Sequence, residues 1–331
     1  MESIKDLRVN LESKVLASEN VIIVPHTRID MDAFASAIGI SLITSKLNKK
    51  SSILIDDAAY SIDNSVKSVI EEAKKHFNII NYEKYLKNQM KNDLYILTDV
   101  NKSNLVRIKS ELDKINKDNI FIIDHHDEGN QTIDTNYKFI DLNSSSASEI
   151  IVKLLSSFKI KCNSEVANYL LAGIYLDTNK LTKNTTSDTF KIVAKLMESG
   201  ASNSVIDHWF TEDFESDKRV LELVSKANIY KYSFAIVLAE EGCEYTREEL
   251  AKVSDYLLKY GVDAAFALGQ VDENLISISA RSKEKVNVGE VMKQLDGGGN
   301  KCSAATKISN ETVEGVGKKL IKLIEPPFLV K

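Results

Sequence analysis

The sequence predicts an α/β protein, an N-terminal doubly wound parallel sheet joined by a helical linker to a smaller α/β domain. Three observations predict it. Apolar, β-branched runs alternate with helix-length amphipathic stretches from residue 4 to residue 123, the pattern of a parallel sheet with crossover helices. Residues 146–210 then carry helical periodicity alone. Strand–helix alternation returns after Ala227. At 331 residues the chain is long enough for two cores. The boundaries are expected at 1–205 for the first domain, 206–226 for the linker and 227–331 for the second domain.

Residues 4–18 read as a short amphipathic helix, and Val21-Ile22-Ile23-Val24 as a buried strand running into His26. Residues 31–46 have helical spacing with small residues such as Ala33 and Ala37 on one face, which lets a helix lie close to a sheet. A second strand at 51–56, ending on Asp56, precedes a helix at 63–75. A third strand at 93–99 ends on Asp99, and residues 103–115 read as helical. The run 119–123 is a fourth strand, and it delivers Asp124-His125-His126 to the point where the chain leaves the sheet. Helices follow at 146–157, 163–176 and 186–199, with Asp177 closing the second. Residues 204–226 hold the lone Trp209, read as packing, and the charged Glu212-Asp213-Phe214-Glu215; they form the connector. In the second domain, 232–239, 262–271 and 275–281 read as strands, with helices at 247–260 and 288–295. Gly297-Gly298-Gly299-Asn300 then reads as a loop opening another helix near Lys301, and Pro326-Pro327 ends the ordered part.

Composition excludes several classes. With 43% apolar and 27% charged residues the chain is an ordinary globular one. A net charge of −5 argues against long nucleic acid as a partner but leaves room for a small anionic substrate. Cys162, Cys243 and Cys302 are far apart and odd in number, which points to a reducing compartment and away from a thiolate metal site. There is no signal peptide and no apolar stretch near the length of a membrane span. The expectation is a cytoplasmic location, with a membrane anchor in a longer parent chain left open, and a homodimer left open too.

Doubly wound sheets bind ligands beyond the carboxyl ends of their strands. His26, Asp99 and Asp124-His125-His126 all fall there. His26-x3-Asp30-x-Asp32 places three ligand-type residues within seven positions after a strand. Asp30 could equally cap the following helix, but Asp30 and Asp32 flank one residue and can address two neighbouring ions. A histidine pair directly after a buried strand has few structural uses, and Asp124 is placed to accept a hydrogen bond from a ligating imidazole. Asp177 sits at a helix C-terminus, against the macrodipole, where a cation would compensate it. Carboxylates and imidazoles without thiolates suit Mn²⁺, Mg²⁺ or Fe²⁺ better than a structural zinc. Two such ions about 3.5–4 Å apart direct a water onto phosphorus. In the second domain the glycine loop offers backbone N–H groups to a phosphate, and Arg281 offers a planar fork. His76 and His208 show no ligand partners nearby and read as surface or satisfied residues.

These motifs, in order, resemble the four motifs of the DHH phosphoesterase superfamily: His26-x3-Asp30-x-Asp32-Ala33, Asp99, Asp124-His125-His126 and Gly173-Ile174-x2-Asp177-Thr178. Ile278-Ser279-Ala280-Arg281-Ser282 and Gly297-Gly298-Gly299 resemble the DHH-associated C-terminal domain. Asp30-Met31-Asp32-Ala33, Ser146-Ala147-Ser148-Glu149, Leu170-Leu171-Ala172-Gly173-Ile174 and Val286-Asn287-Val288 bring it nearest to the catalytic portion of the GdpP-type cyclic-di-AMP phosphodiesterases. The resemblance implies an enzyme with two Mn²⁺, with Mg²⁺, Co²⁺ or Fe²⁺ as substitutes. His26 and Asp30 would hold one ion and Asp32, His125 and Asp177 the other, with Asp99 bridging. His126 would face the scissile phosphate and Asp124 would support a ligand. A metal-bridged hydroxide would open cyclic-di-AMP to pApA in a cleft between the domains, with Ser148, Arg281, Gly297, Gly298, Gly299 and Asn300 as substrate contacts. The alternative is a nanoRNase or pAp phosphatase on the same centre, and behind it a nucleotide sensor with weakened catalysis. The family usually has histidine where this chain has Asn300, and often an aromatic where it has Leu181.

Overall fold

The near-continuous Val/Ile character of the first strands has a direct cause: each is covered on both faces. Alternate residues of the first strand separate cleanly, Val21 and Ile23 into one hydrophobic cluster and Ile22 and Val24 into another on the opposite side of the sheet. The computed structural model describes residues 3–55, 64–90, 92–211, 214–231, 233–283 and 285–324. Asp56, residue 63, Glu212-Asp213, Tyr232 and Pro326-Pro327, all named in the sequence reading, lie outside the described residues.

The chain divides into two units, Met1–Thr211 and Glu212–Lys331. The first runs α1 (Ile4–Ala17), β1 (Val21–Pro25), α2 (Met31–Lys46), β2 (Ser51–Leu54), α3 (Asn64–Ala73), β3 (Ile79–Ile80), α4 (Tyr82–Lys87), β4 (Leu94–Thr98), β5 (Ile120–Asp124) and β6 (Tyr137–Ile140). It closes with four helices, α5 (Ala147–Ser157), α6 (Ser164–Asp177), α7 (Ser187–Glu198) and α8 (Asn203–Trp209). All strand pairs in its sheet are parallel, in the order β3-β2-β1-β4-β5-β6. The order reverses between β1 and β4, which makes that pair the topological switch point where such sheets receive ligands. Pro25 pairs with Thr98, so His26 and Asp99 leave the sheet side by side. Behind them α2 is buried along most of its length against α5 and α6, and Gly39 allows the approach: a Cβ there would collide with the Ile151 side chain.

Residues 103–115, expected as a helix, form only short 3₁₀ turns at Ser103–Leu105 and Leu112–Lys114. The backbone between them is extended at Val106, and Val106 and Ile108 are both buried two residues apart, a strand-like spacing that overrides the helical one. β3, α4 and β6 were not anticipated.

Of residues 206–226, expected as a linker, Ile206 packs in the first core while Val220 and Leu223 pack in the second. Trp209 stacks on Tyr169 with ring centroids 5.5 Å apart, a packing role. The second unit contains α9 (Phe214–Ser225), β7 (Asn228–Tyr230), β8 (Phe234–Leu238), α10 (Arg247–Leu258), β9 (Ala264–Asp272), β10 (Leu275–Ser282), α11 (Val288–Lys293), β11 (Gly298–Gly299), β12 (Ser303–Ser309) and α12 (Val313–Ile324). Its sheet runs β11-β12-β10-β9-β8-β7, with β8 and β9 parallel and the other pairs antiparallel. The helix expected to open near Lys301 is absent. The glycine run instead folds back as β11 onto β12, pairing Gly298 with Ala305 and Gly299 with Ala304. No helix among the described residues is long and apolar enough to cross a membrane.

Candidate metal centre

The centre is built at the carboxyl ends of β1, β4 and β5 and at two helix ends. After β1 the chain turns into α2, and Asp30 caps that helix, its Oδ1 accepting from the N–H groups of Asp32 and Ala33 at 3.0 Å each. Its other oxygen stays free to face His26, 3.5 Å from Nε2. Capping therefore leaves one oxygen of this side chain available to a ligand. Asp99 follows β4 with φ +59°, in the left-handed region that Asp tolerates better than most residues. Its carboxylate stands between two imidazoles, 3.5 Å from His26 Nε2 and 3.3 Å from His125 Nε2.

His125 Nε2 also lies 3.1 Å from Asp177 and 3.9 Å from Asp32. Asp32 is fully buried and is held by the N-terminus of α5, whose Ala147 and Ser148 N–H groups donate to it at 2.7 and 2.8 Å. Asp177 is the last residue of α6. The helix stops there because Asn179, Lys180 and Leu181 all take left-handed backbone, and the carboxylate is left against the unfavourable dipole end.

Among the described residues three groups of side chains could each hold an ion: His26, Asp30 and Asp99; Asp32, His125 and Asp177; and Asp99, Asp124, His125 and His126. The chemistry of the set fits a hard divalent cation. A further observation supports the fit. Asp99 Oδ1 and His125 Nε2 are buried and make no hydrogen bond of good geometry despite their short separation. Both side chains belong to a group whose ligand atoms lie within 4.8 Å of one another. The electrostatics agree. Burial lowers the imidazole pKa of His26, yet Asp30 and Asp99 drive it up to about 10; burial likewise opposes His125, which Asp177 and Asp99 raise to about 11. Asp99 is desolvated, but the two histidines hold its carboxyl down at about 2, while burial and neighbouring carboxylates push Asp32 and Asp177 upward. Anionic groups this crowded demand positive charge.

Asp124 is positioned to hold the ring of His126 rather than that of His125, the expected ligand. Its Oδ1 meets His126 Nδ1 at 2.8 Å and accepts from the backbone N–H of His125 at 2.8 Å. With Nδ1 committed, Nε2 of the half-exposed His126 ring is the nitrogen left for another partner. Asp124 raises the pKa of this imidazole against the effect of burial. Sequence reasoning missed Asn101, whose Nδ2 donates to the His126 carbonyl at 2.9 Å; nothing in the pattern marked it. Ser148, expected as a substrate contact, is fully buried, and its backbone N–H donates to Asp32 at 2.8 Å.

Two clefts open beside the centre. One of about 450 Å³ is lined by His26, Arg28, Asp30, Asp99, Lys102 and His126, and one of about 620 Å³ by His125, His126, Asn143, Ser144, Asp177 and Lys183. The wall of the second is fixed by Glu149, a buried carboxylate that accepts from Ser145 Oγ at 2.6 Å and Thr189 Oγ1 at 2.8 Å and pairs with Lys153 at 2.7 Å. Burial raises its pKa, but Lys153, Ser145 and Thr189 outweigh that and lower it. A lowered folded-state pKa gives stability that is present above the unfolded value and lost as pH falls through the folded one. Glu149→Gln is therefore expected to destabilise by about 1–3 kcal/mol at pH 7. In denaturant titrations the gap from the wild type should close below about pH 4; an unchanged gap there would count against the ion pair.

In the second unit Arg281, near the end of β10, pairs with Asp255 at 3.2 Å and donates to the Ala280 carbonyl at 3.1 Å. Asn300 Oδ1 accepts from the N–H groups of Cys302 and Ser303 at 2.9 and 2.8 Å, closing the turn between β11 and β12. Gly299 has φ +145°, and a Cβ at Gly297 or Gly299 would strike β12, so these two glycines are required by the turn itself.

Comparison with known proteins identifies two families along the chain. The DHH family N-terminal domain matches residues 20–174, and the DHHA1 domain matches residues 230–325. Over 96% of its length the chain is 33% identical to the cyclic-di-AMP phosphodiesterase GdpP of Bacillus subtilis, covering 49% of that protein. It is 28% identical over 95% of its length to the cyclic-di-AMP phosphodiesterase PdeA of Listeria monocytogenes, again covering 49%. It is 30% identical over 89% of its length to a membrane protein–large ribosomal subunit bL9 fusion protein of Onion yellows phytoplasma, covering 35% of it. The chain thus spans a third to a half of these relatives' own length, 35% to 49%. Among solved structures, an exopolyphosphatase-related protein from Bacteroides fragilis superposes with a TM-score of 0.75 at 19% identity, over 96% of this chain and 98% of that one, a likeness of fold.

Proposed function

Because the chain belongs to the DHH family, with a DHHA1 domain behind its DHH domain, we propose that it is a Mn²⁺-dependent phosphodiesterase that opens cyclic-di-AMP to the linear dinucleotide pApA. The observation that carries this reading is Asp99, which stands between His26 and His125 and belongs to two ion-sized groups. Two divalent ions, one on His26 and Asp30, the other on Asp32, His125 and Asp177, with Asp99 between them, would activate the attacking water and offset charge on phosphorus.

The chain's own residues supply the rest. His126, fixed through Nδ1 by Asp124, presents Nε2 to a non-bridging phosphate oxygen. Asn101 holds the His126 backbone in that position. Asp32 is kept in place by two N–H groups from α5, so its carboxylate does not swing when substrate charge arrives. Water adds across one P–O3′ bond: its oxygen joins phosphorus, and a proton leaves with the ribose 3′-oxygen. In the second unit Arg281 and the turn of Gly297, Gly298, Gly299 and Asn300 remain proposed substrate contacts. Asn300 brings hydrogen bonding there but no positive charge.

The test is incubation of purified protein and Mn²⁺ with cyclic-di-AMP, pApA and pAp, with product analysis. The expected result is conversion of cyclic-di-AMP to pApA. Faster consumption of pApA or of pAp would move the assignment to a short-oligonucleotide hydrolase or a pAp phosphatase. Turnover of none of the three would sink the enzyme reading and leave a nucleotide sensor.

A further inference from the structure

His126 and Asp177 line both clefts, so the metal centre stands on the divide between two cavities. Each is within the roughly 300–1,000 Å³ range of small-ligand sites. A phosphodiester carries one substituent on each side of phosphorus, and a divided site of this kind suits a nucleoside on each flank.

The smaller cleft has a second feature that the metal chemistry does not use. Arg28 is exposed and Lys102 half-buried in its wall, and neither side chain has an ion pair or hydrogen bond among the described residues. The acids that share this wall, Asp30, Asp99, Asp124 and Asp177, are those of the metal centre and its support. The loops that carry the two cations are tied together. Thr27 N–H donates to the Leu105 carbonyl at 2.7 Å and Ser103 N–H to the Gln131 carbonyl at 2.9 Å. Lys102 forms a β-bridge with Thr132, and Asn101 reaches the His126 carbonyl. Two unpaired cations are therefore held beside the reacting position by a braced backbone, with no protein anion assigned to them.

We propose that Arg28 and Lys102 form a phosphate subsite that receives the phosphate one nucleoside removed from the scissile one. This rests on the phosphodiesterase reading and deepens it: the favoured substrates are dinucleotides that carry a second phosphate. Cyclic-di-AMP and pApA satisfy this, whereas ApA, with its single diester, does not. The guanidinium of Arg28 offers a bidentate fork to two phosphate oxygens, and Lys102 adds a compact charge. The subsite lies wholly within the first unit.

The experiment compares kcat/KM for pApA and ApA at fixed Mn²⁺ in the wild type, Arg28→Ala and the Arg28→Ala/Lys102→Ala double variant, with bis(p-nitrophenyl) phosphate as a probe of the metal centre in the wild type. The wild type is expected to prefer pApA by about tenfold or more, chiefly through KM, as a charge-assisted contact supplies. The ratio should fall toward one in Arg28→Ala and reach it in the double variant. Because Arg28 is exposed, these proteins should fold as the parent does. Should the wild type cut the probe and pApA yet treat ApA no differently, the subsite is wrong and the phosphodiesterase reading stands. A preference that survives in both variants overturns the assignment to these residues. If none of the three diesters is cut while cyclic-di-AMP is still opened to pApA, the subsite is wrong and the phosphodiesterase reading stands; if cyclic-di-AMP is left intact as well, both fall together.

Discussion

Asp99→Asn is expected to reduce turnover by about 10³-fold or more and to abolish the stabilisation that Mn²⁺ confers. The substitution is chosen to isolate charge. Asn is nearly isosteric with Asp and also tolerates left-handed backbone, so the φ of +59° at this position is retained at little cost. What disappears is the anion between His26 and His125. The apo variant should be less stable than the parent, because His26 and His125 hold the Asp99 carboxyl down at about 2 and that net attraction is lost, so each protein is compared with itself, with and without Mn²⁺. The ligand-linked term behaves differently. An ion present at a hundredfold its Kd stabilises by about 2.7 kcal/mol, which for a unit of this size raises Tm by roughly 5–10 °C. The wild type should show that rise with Mn²⁺ and lose it with EDTA, and Asp99→Asn should show almost none. A variant that keeps the Mn²⁺ shift and loses only turnover would mean that Asp99 acts on substrate and that the ions are held without it.

Much of this site can be read from the sequence because it is assembled by strand ends. Each of β1, β4 and β5 announces itself by a short apolar run, and a parallel sheet brings the residues that follow such runs to a common edge. His26, Asp99 and His125 needed no further information to be placed together. Helix-borne contributions were legible for a different reason. Asp32 and Asp177 sit at opposite kinds of helix terminus, the start of α2 and the end of α6, and an acid at a helix C-terminus is electrostatically out of place unless something compensates it.

The rest was hidden by tertiary context. The spacing of residues 103–115 fits a helix, but pairing of Lys102 with Thr132 and burial of Val106 and Ile108 pull the backbone out of that form. β3 is two residues long and exists through its pairing with Ile53 and Leu54. The stretch after the glycine run was misread as a helix although Ala304 and Thr306 are buried in alternation with exposed neighbours, the signature of a strand. Reading the glycines as a phosphate loop concealed it. The partner of Asp124 could not be known in advance either, since His125 and His126 are adjacent and the two rings differ only in which way the chain turns after β5.

The glycine at position 173 carries the second large prediction. It lies in α6 directly against the start of α2, and a Cβ added there would come within 2.8 Å of Asp32 Oδ1 and 3.0 Å of Asp32 Cα, with Ser148 Oγ nearer still. The two Asp32 atoms cannot yield cheaply. The Asp32 carboxylate is pinned by the N–H groups of Ala147 and Ser148, and its Cα belongs to a helix buried on most sides. Gly173→Ala should therefore destabilise the fold by about 1–3 kcal/mol through overpacking, even though Ala is the better helix former by about 1 kcal/mol. It should also displace the ligand. A shift of about 1 Å in a positioned group lowers turnover by roughly 10²-fold, and Mn²⁺ affinity should fall with it. Gly298→Ala is the matching control, since a Cβ there meets nothing within 4 Å and stability should stay within about 0.5 kcal/mol of the parent. Denaturant unfolding measures the first effect and calorimetric titration with Mn²⁺ the second. Wild-type Mn²⁺ affinity in a destabilised Gly173→Ala protein would separate packing from ligation and remove Asp32 from the metal set. Loss of both together would tie the closeness of α2 and α6, and the glycine that permits it, to the ion that the helices hold between their ends.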